Sequence, residues 1–134
     1  MKKILILFLL CISFFSNAQA ETQWYKATSY AYKSMNNYGY WSNWTDWIGC
    51  NINIKFDMDE DIIVIYSNRT QIYAIYNYRG QAYDSSGGIQ AYFDVIDQDY
   101  DKGTIRLRIE QNGNSQIYCE FANVMWVYNV YRTS

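Results

Sequence analysis

The chain has 134 residues, among them 15 Tyr and five Trp, and it contains neither histidine nor proline. Its 13 acidic and 11 basic residues give a net charge of −2, which disfavours nucleic acid and anionic membranes as partners. Histidine is the commonest general base and metal ligand, so its absence leaves us expecting no enzyme activity and no cofactor.

The N-terminal segment has the layout of a cleavable export signal. Two lysines precede an apolar run at 4–15, and small residues follow within Ala18–Ala20, where a signal peptidase could cut. The apolar run is shorter than the roughly 20 residues that a membrane-spanning helix requires. We therefore predict a signal peptide at 1–20 and a secreted or periplasmic product.

Residues 21–134 have a length that suits a single domain. Two of the 11 basic residues lie in the predicted signal, so nine remain against 13 acidic residues, and the net charge falls to about −4. A domain of this size buries roughly two-thirds of its unfolded surface, which is enough to build a core of its own.

Short runs of alternating apolar and polar residues recur along the domain. The clearest are 50–58 and 104–110, in which one face is apolar and the other is polar or charged. Strands are predicted at 24–34, 45–58, 61–67, 70–83, 89–97, 103–111, 115–122 and 124–132. They predict an all-β fold, a small antiparallel meander barrel of about eight strands like those of lipocalins and avidin, with a two-sheet β-sandwich as the alternative. Charged outward positions on short strands disfavour a membrane-spanning barrel.

Side-chain parity predicts the pairing of the strands on either side of Gly113. A three-residue loop at 112–114 would pair Leu107 with Cys119 and would place the apolar rows of both strands on the core face. We expect Gly113 or Asn114 to adopt a left-handed backbone conformation in this loop.

The strand pair around Asn68-Arg69 is apolar on both faces, which is unusual for a half-exposed hairpin. A two-residue turn here would place apolar residues from both strands together on the second face. Either the chain's own termini cover that face, or a second copy of the protein (a homo-oligomer contact) or another partner does. The residues of the predicted contact are Ile62, Val64, Tyr73 and Ile75.

The segment 38–47 concentrates aromatic residues among Asn, Gly and Ser. Alternation places Trp44 on the core side, whereas Trp41 and Trp47 point the other way. Exposed rings beside amide groups are typical of surfaces that bind sugars or proteins. The candidate ligand-binding residues are Tyr38, Tyr40, Trp41 and Trp47. The alternative is that this segment folds over the barrel mouth as a plug.

Cys50 and Cys119 are the two cysteines of the predicted mature domain. In an oxidising compartment an even pair of cysteines favours a disulfide, so they are our disulfide candidates. The alternative is two separate buried thiols, because both residues lie on apolar strand faces.

Three carboxylates spaced two residues apart, Asp97, Asp99 and Asp101, resemble the first half of a calcium-binding loop. Lys102 stands where such a loop has its glycine, and Arg108 occupies the position of the closing acidic residue. An acidic, solvated hairpin turn is therefore the competing interpretation, and we expect no metal.

The mature sequence, above all 61–68 and 121–129, resembles small secreted proteins of Bacteroidota and their crAss-like phages. The resemblance implies an exported protein and no particular activity.

We therefore predict a binding module that recognises a glycan or a protein through its Trp/Tyr-rich segment. The first alternative is a carrier that holds a small apolar ligand inside the barrel. The second is a weak hydrolase that uses paired carboxylates such as Asp94 and Glu120.

Overall fold

The structure is a computed structural model and describes residues 21–134, so the predicted signal peptide lies outside the described residues. All eight elements are β-strands, and each lies within three residues of a predicted one. The strands are β1 (Thr22–Ser34), β2 (Ile48–Asp57), β3 (Ile62–Tyr66), β4 (Thr70–Tyr83), β5 (Ile89–Ile96), β6 (Lys102–Ile109), β7 (Ser115–Glu120) and β8 (Val124–Arg132). Among these residues no helix is long and apolar enough to cross a membrane.

Each strand pairs in antiparallel fashion with the next one in the chain, and β1 pairs with β8 to close the sheet. The closing pair runs from Tyr25 opposite Arg132 to Ser34 opposite Val124. The predicted meander barrel is thereby confirmed, and the two-sheet sandwich is excluded.

Inward side chains fill the barrel. Phe56 contacts Phe93 with 5.4 Å between ring centroids, and Tyr78 lies 5.0 Å from Phe93. The other members of the core are mainly aliphatic. They include Ile54, Ile63, Ile65, Val95, Ile105 and Ile117. Branched and aromatic side chains therefore occupy the barrel interior, as in other small eight-stranded barrels.

The outer face of β4–β7, which we call the outer wall, pairs aromatic rings with arginines. Arg106 lies 3.9 Å from the ring centroid of Tyr118, and Arg79 lies 5.0 Å from that of Tyr92. Arg106 also donates hydrogen bonds to Gln90 and to the carboxylate of Glu120. Each of these two rings is therefore covered by a cation and held between neighbouring strands.

Four hairpin turns share one backbone design. In 36–40, 84–88, 97–101 and 110–114 the first residue donates its N–H to the carbonyl of the fifth. The fourth residue has a positive φ in every case: Gly39, Gly87, Tyr100 and Gly113. Glycine adopts this conformation without steric cost, which makes Tyr100 the exception.

The predicted pairing of β6 with β7 is wrong by two residues. Leu107 lies opposite Ile117, and Cys119 lies opposite Ile105. The loop has three residues as predicted, but it occupies 111–113 because the turn begins one residue earlier. A shift of two residues preserves parity, so the predicted core face is correct, and Gly113 has the positive φ that we expected.

The predicted pairing of β3 with β4 is wrong by one residue, and this slip exchanges the two faces of β4. The loop has three residues, so Val64 pairs with Ile72 and Ile63 pairs with Tyr73. Tyr73 and Ile75 therefore belong to the core and cannot contribute to the expected oligomer contact.

The chain's own side chains partly cover the outer face here. Val64 is buried although it lies outside the core cluster, and its partner on β2 is Lys55. The Lys55 ammonium lies 5.6 Å from the ring centroid of Trp24, and that ring stacks on Tyr66.

Candidate ligand-binding surface

The ends of β1 and β2 continue beyond the barrel rim as a twisted hairpin, residues 32–48, which we call the aromatic hairpin. Ser42 and Thr45 donate their N–H groups to the carbonyls of Ser34 and Tyr32, at 2.7 and 2.9 Å. Their hydroxyl oxygens accept the N–H groups of the same two residues. Side chains thus replace part of the backbone ladder, which explains why regular strand pairing does not extend through this segment.

The tip of the aromatic hairpin is a tight turn at 36–40. The side-chain oxygen of Asn36 accepts N–H groups from Tyr38 and Tyr40, at 2.8 and 3.0 Å. Gly39 supplies the positive φ. Met35 donates its N–H to the carbonyl of Asn123 in the β7–β8 turn, which ties the hairpin to the rim. The tip is therefore held in one conformation by hydrogen bonds and not by a hydrophobic core.

Four rings of the aromatic hairpin are exposed to solvent. Tyr38 is 84% exposed, Tyr40 71%, Trp47 50% and Trp44 41%. Several exposed aromatic side chains gathered on one segment are typical of a contact surface. Of the four candidates from sequence, only Trp41 is half-buried.

Lys33 organises the base of the aromatic hairpin. Its ammonium lies 5.3 Å from the ring centroid of Trp41 and 4.9 Å from that of Trp44. The prediction that Trp44 points into the core is wrong. β2 begins only at Ile48, and its register with β1 shifts between Gly49 and Ile52, so parity cannot be extended back to Trp44.

The barrel mouth at this rim is closed by residues from other strands. The rings of Phe121 and Trp126 stack with centroids 5.7 Å apart, and Tyr73 lies 5.9 Å from Phe121. A Cβ atom added to Gly103 would lie 2.5 Å from the Phe121 ring, which shows how closely that ring packs against β6. These residues, and not the tryptophans of the aromatic hairpin, fill the mouth.

An open groove of about 450 Å³ runs over β7, β8 and β1, on the side of the barrel opposite β4. Thr28, the unpaired residue of a bulge in β1, forms part of its lining. Gln116 donates to Asn129, and Asn129 donates to Ser29, so these two amides of the groove already have partners within the protein.

The calcium candidates form a turn and are not gathered into a metal site. One carboxylate oxygen of Asp97 accepts the N–H groups of Asp99 and Asp101, at 2.8 and 2.9 Å, as Asn36 does in the aromatic hairpin. Within the described residues no group of three acidic or cysteine side chains is placed to hold a metal. The spacing of two therefore reflects turn formation.

Cys50 and Cys119 are free thiols in the structure, so the disulfide candidate is not formed. Cys119 is fully buried in the core, and burial raises its pKa far above the ordinary value. Desolvation also raises the pKa of Cys50, whose sulfur lies 3.7 Å from the carbonyl oxygen of Ala27. Thiols with raised pKa values are poor nucleophiles, which fits a packing role.

The two carboxylates considered for hydrolysis are each paired with an arginine. Asp94 lies 3.2 Å from Arg79, and Glu120 lies 2.9 Å from Arg106. Asp94 also accepts hydrogen bonds from Asn77 and Thr104. Both carboxylates are engaged in ion pairs between neighbouring strands, so these residues are better understood as parts of the outer wall.

The sequence did not single out Lys33 or the exposure of Trp44. A lysine at the penultimate position of a predicted strand gives no signal by itself. Only the hairpin geometry brings its ammonium close to the rings of both Trp41 and Trp44.

No protein-family model, no curated protein and no solved structure matches this chain.

Proposed function

We propose that the protein is an exported carbohydrate-binding module and that its ligand site is the aromatic hairpin. The observation that carries the proposal is the exposure of Tyr38, Tyr40 and Trp47 on a hairpin whose tip is fixed by hydrogen bonds. A fixed surface loses little conformational entropy when a ligand binds, so exposed rings on it are efficient contacts.

The polar neighbours of these rings favour a sugar over a protein partner. Asn37, Asn43 and Asp46 are exposed between the aromatic residues and supply hydrogen-bond donors and acceptors. A sugar presents apolar C–H faces and hydroxyl groups side by side, and a ring next to an amide complements both. The core of a protein–protein interface is more uniformly apolar than this surface.

The carrier alternative receives little support from the interior. Phe56 and Phe93 are 2% exposed and contact each other in the middle of the barrel. A ligand pocket requires at least about 300 Å³. The groove of about 450 Å³ exceeds this volume, but it lies on the outside of the barrel and is lined mainly by polar residues.

The proposal is tested by measuring binding to an array of neutral and charged glycans with the purified protein and three variants. Tyr40→Ala and Trp47→Ala should each weaken binding by roughly 30-fold, corresponding to the ~2 kcal/mol of an aromatic anchor. Their melting temperatures should stay close to that of the unmodified protein, because both rings are exposed.

Tyr83→Ala is the matched control. Tyr83 is 79% exposed but lies at the opposite end of the barrel, at the end of β4. Binding should be unaffected by this change. Equal loss of binding in all three variants, or no binding to any glycan, would contradict the proposed site.

Export is part of the same proposal, and the sequence at 1–20 motivates it. N-terminal sequencing of material released by an expressing cell should find a chain that begins at Glu21 or Gln19. A secreted product that retains Met1 would contradict it.

A further inference from the structure

The β5–β6 turn, residues 97–101, carries a tyrosine in a strained backbone conformation. Tyr100 has a φ of 68°, and of residues 21–134 only Asp61 also combines a side chain with a positive φ. Aspartate tolerates this conformation, whereas a bulky side chain rarely adopts it. The three other turns of the same backbone design have glycine at this position. Tyr100 therefore carries a steric cost, although its ring is 87% exposed and lies outside the core.

The four turns of this design differ in sequence according to the end of the barrel on which they lie. Successive turns of a meander alternate between the two ends, so 36–40 and 97–101 share the end with the aromatic hairpin, which we call the mouth end. The turns at 84–88 and 110–114 lie at the other end and contain no aromatic residue. The mouth-end turns carry three exposed tyrosines, Tyr38, Tyr40 and Tyr100. Since the backbone design is the same, turn formation does not require these rings.

Tyr100 and the aromatic hairpin lie on opposite sides of the mouth. In the closed order of strands, the junction of β5 with β6 is diametrically opposite that of β1 with β2. Eight strands about 4.8 Å apart and tilted by about 40° form a ring roughly 16 Å wide. The stacked rings of Phe121 and Trp126 fill the mouth between the two turns and are only half-buried. The mouth end thus has exposed rings on two sides and an aromatic floor between them.

We propose that Tyr100 is a second anchor for the glycan and that the ligand is a neutral oligosaccharide chain that lies across the mouth. This role rests on the proposed function of the aromatic hairpin. A single hexose is much shorter than the width of the mouth, whereas a chain of several units can stack on Tyr40 and on Tyr100 at once. Strained residues are concentrated at ligand contacts because the strain holds a side chain where the ligand needs it.

The charges beside Tyr100 favour a neutral ligand. Asp99 and Asp101 flank it, and both are exposed. Carboxylates within a Debye length of a bound chain, about 8 Å, repel uronic acid and sulfate groups on it. Lys102, the next cation along the chain, is already engaged, since its ammonium lies 5.5 Å from the ring centroid of Tyr76. Anionic polysaccharides are therefore disfavoured at this side of the mouth.

The test compares the two anchors on sugars of different length by isothermal titration calorimetry. The probes are the disaccharides and hexasaccharides of glucose, mannose, galactose, xylose and N-acetylglucosamine, with hexagalacturonate as the anionic probe. Tyr100→Gly should raise the dissociation constant of the bound hexasaccharide by roughly tenfold or more, as loss of an aromatic anchor does. The disaccharide does not reach Tyr100, so its dissociation constant should stay within about twofold. Tyr40→Ala should weaken binding of both lengths, and the control Tyr83→Ala should weaken neither.

Melting temperatures separate a ligand contact from a structural role. Glycine adopts the positive φ of this position without steric cost, so Tyr100→Gly should melt at the temperature of the unmodified protein or above it. A lower melting temperature would show that the ring serves the fold and would overturn the proposal. Tyr100→Trp keeps a ring at this position and should retain binding of the hexasaccharide.

Failure of the second anchor is distinguishable from failure of the proposed function. A hexasaccharide that Tyr40→Ala weakens and Tyr100→Gly does not would overturn the second anchor and leave the aromatic hairpin as the site. Tighter binding of hexagalacturonate than of any neutral chain would overturn the neutral ligand. Absence of binding to every glycan would overturn both proposals.

Discussion

The outer wall and the aromatic hairpin are both rich in aromatic residues, but they use them in opposite ways. On the outer wall Tyr118 and Tyr92 are each covered by an arginine and are half-buried. On the aromatic hairpin Tyr38 and Tyr40 extend into solvent. Aromatic content alone therefore does not mark a binding surface. The absence of a covering side chain separates the hairpin tip from the wall.

The largest difference between the two regions should appear when a ring is removed. Tyr118→Ala removes the stack with Arg106 and the hydrogen bond to Gln116, so it should lower the free energy of unfolding by about 2 kcal/mol. Tyr38→Ala should change it by less than about 0.5 kcal/mol. Urea denaturation of both variants measures this, and similar losses would break the comparison.

Removing the covering cation should have a smaller effect. Arg106→Met leaves Tyr118 without its cation and Glu120 without its ion-pair partner, so we expect a loss of about 1 kcal/mol in the free energy of unfolding. Arg106→Lys keeps the positive charge but loses the planar contact with the ring. Its free energy of unfolding should lie between that of the unmodified protein and that of Arg106→Met. A variant with methionine as stable as the unmodified protein would show that the arginine does not stabilise the wall.

Lys33→Met tests the base of the aromatic hairpin, where a cation does contact rings. The substitution removes the ammonium group beside Trp41 and Trp44 but keeps an apolar side chain there. We therefore expect the free energy of unfolding to fall by about 0.5 kcal/mol. Tryptophan fluorescence should shift because the charge beside both indoles disappears. An unchanged spectrum would mean that Lys33 does not hold these rings.

The smallest expected effect concerns the hairpin turns, which have the same backbone geometry in the aromatic hairpin and beside the outer wall. Hydrogen bonds from the Ser86 hydroxyl and the Gly88 N–H, with further support from Arg108, lower the pKa of Asp84 from 3.8 to about 2. A lowered carboxyl pKa stabilises the fold above the unfolded pKa, and this stabilisation is lost as pH falls from about 3.8 to about 2. Asn36 holds the equivalent turn of the aromatic hairpin without titrating.

Melting temperatures measured between pH 2 and pH 6 would reveal this difference. Asp84→Asn should melt with a weaker dependence on pH than the unmodified protein over the acid part of that range. Parallel curves for the two proteins would show that Asp84 does not contribute to acid sensitivity.

Much of the barrel could be predicted from side-chain patterns. Alternation at 50–58 and 104–110 predicted β2 and β6 because one face of each is buried. The errors in pairing arose at the turns. One residue more or less in the β3–β4 loop decides which face of β4 is buried, and Ser67-Asn68-Arg69 does not specify the loop length.

The candidate site was predicted in part. Tyr38, Tyr40 and Trp47 are exposed as expected, whereas Trp44 is exposed against expectation. Parity fails in this segment because Ser42 and Thr45 bond to the backbone of β1 and interrupt the strand.

The sequence by itself determined the class of fold, the approximate strand limits and the position of the aromatic segment. These depend on local periodicity and turn propensity, which are written in neighbouring residues. Only the tertiary structure decided which rings are covered and which turns face each other across the mouth. Arg106 reaches Tyr118 from the adjacent strand, and closure of the barrel places the β5–β6 turn opposite the aromatic hairpin. Such relations join residues that are distant in the chain, so no local pattern records them.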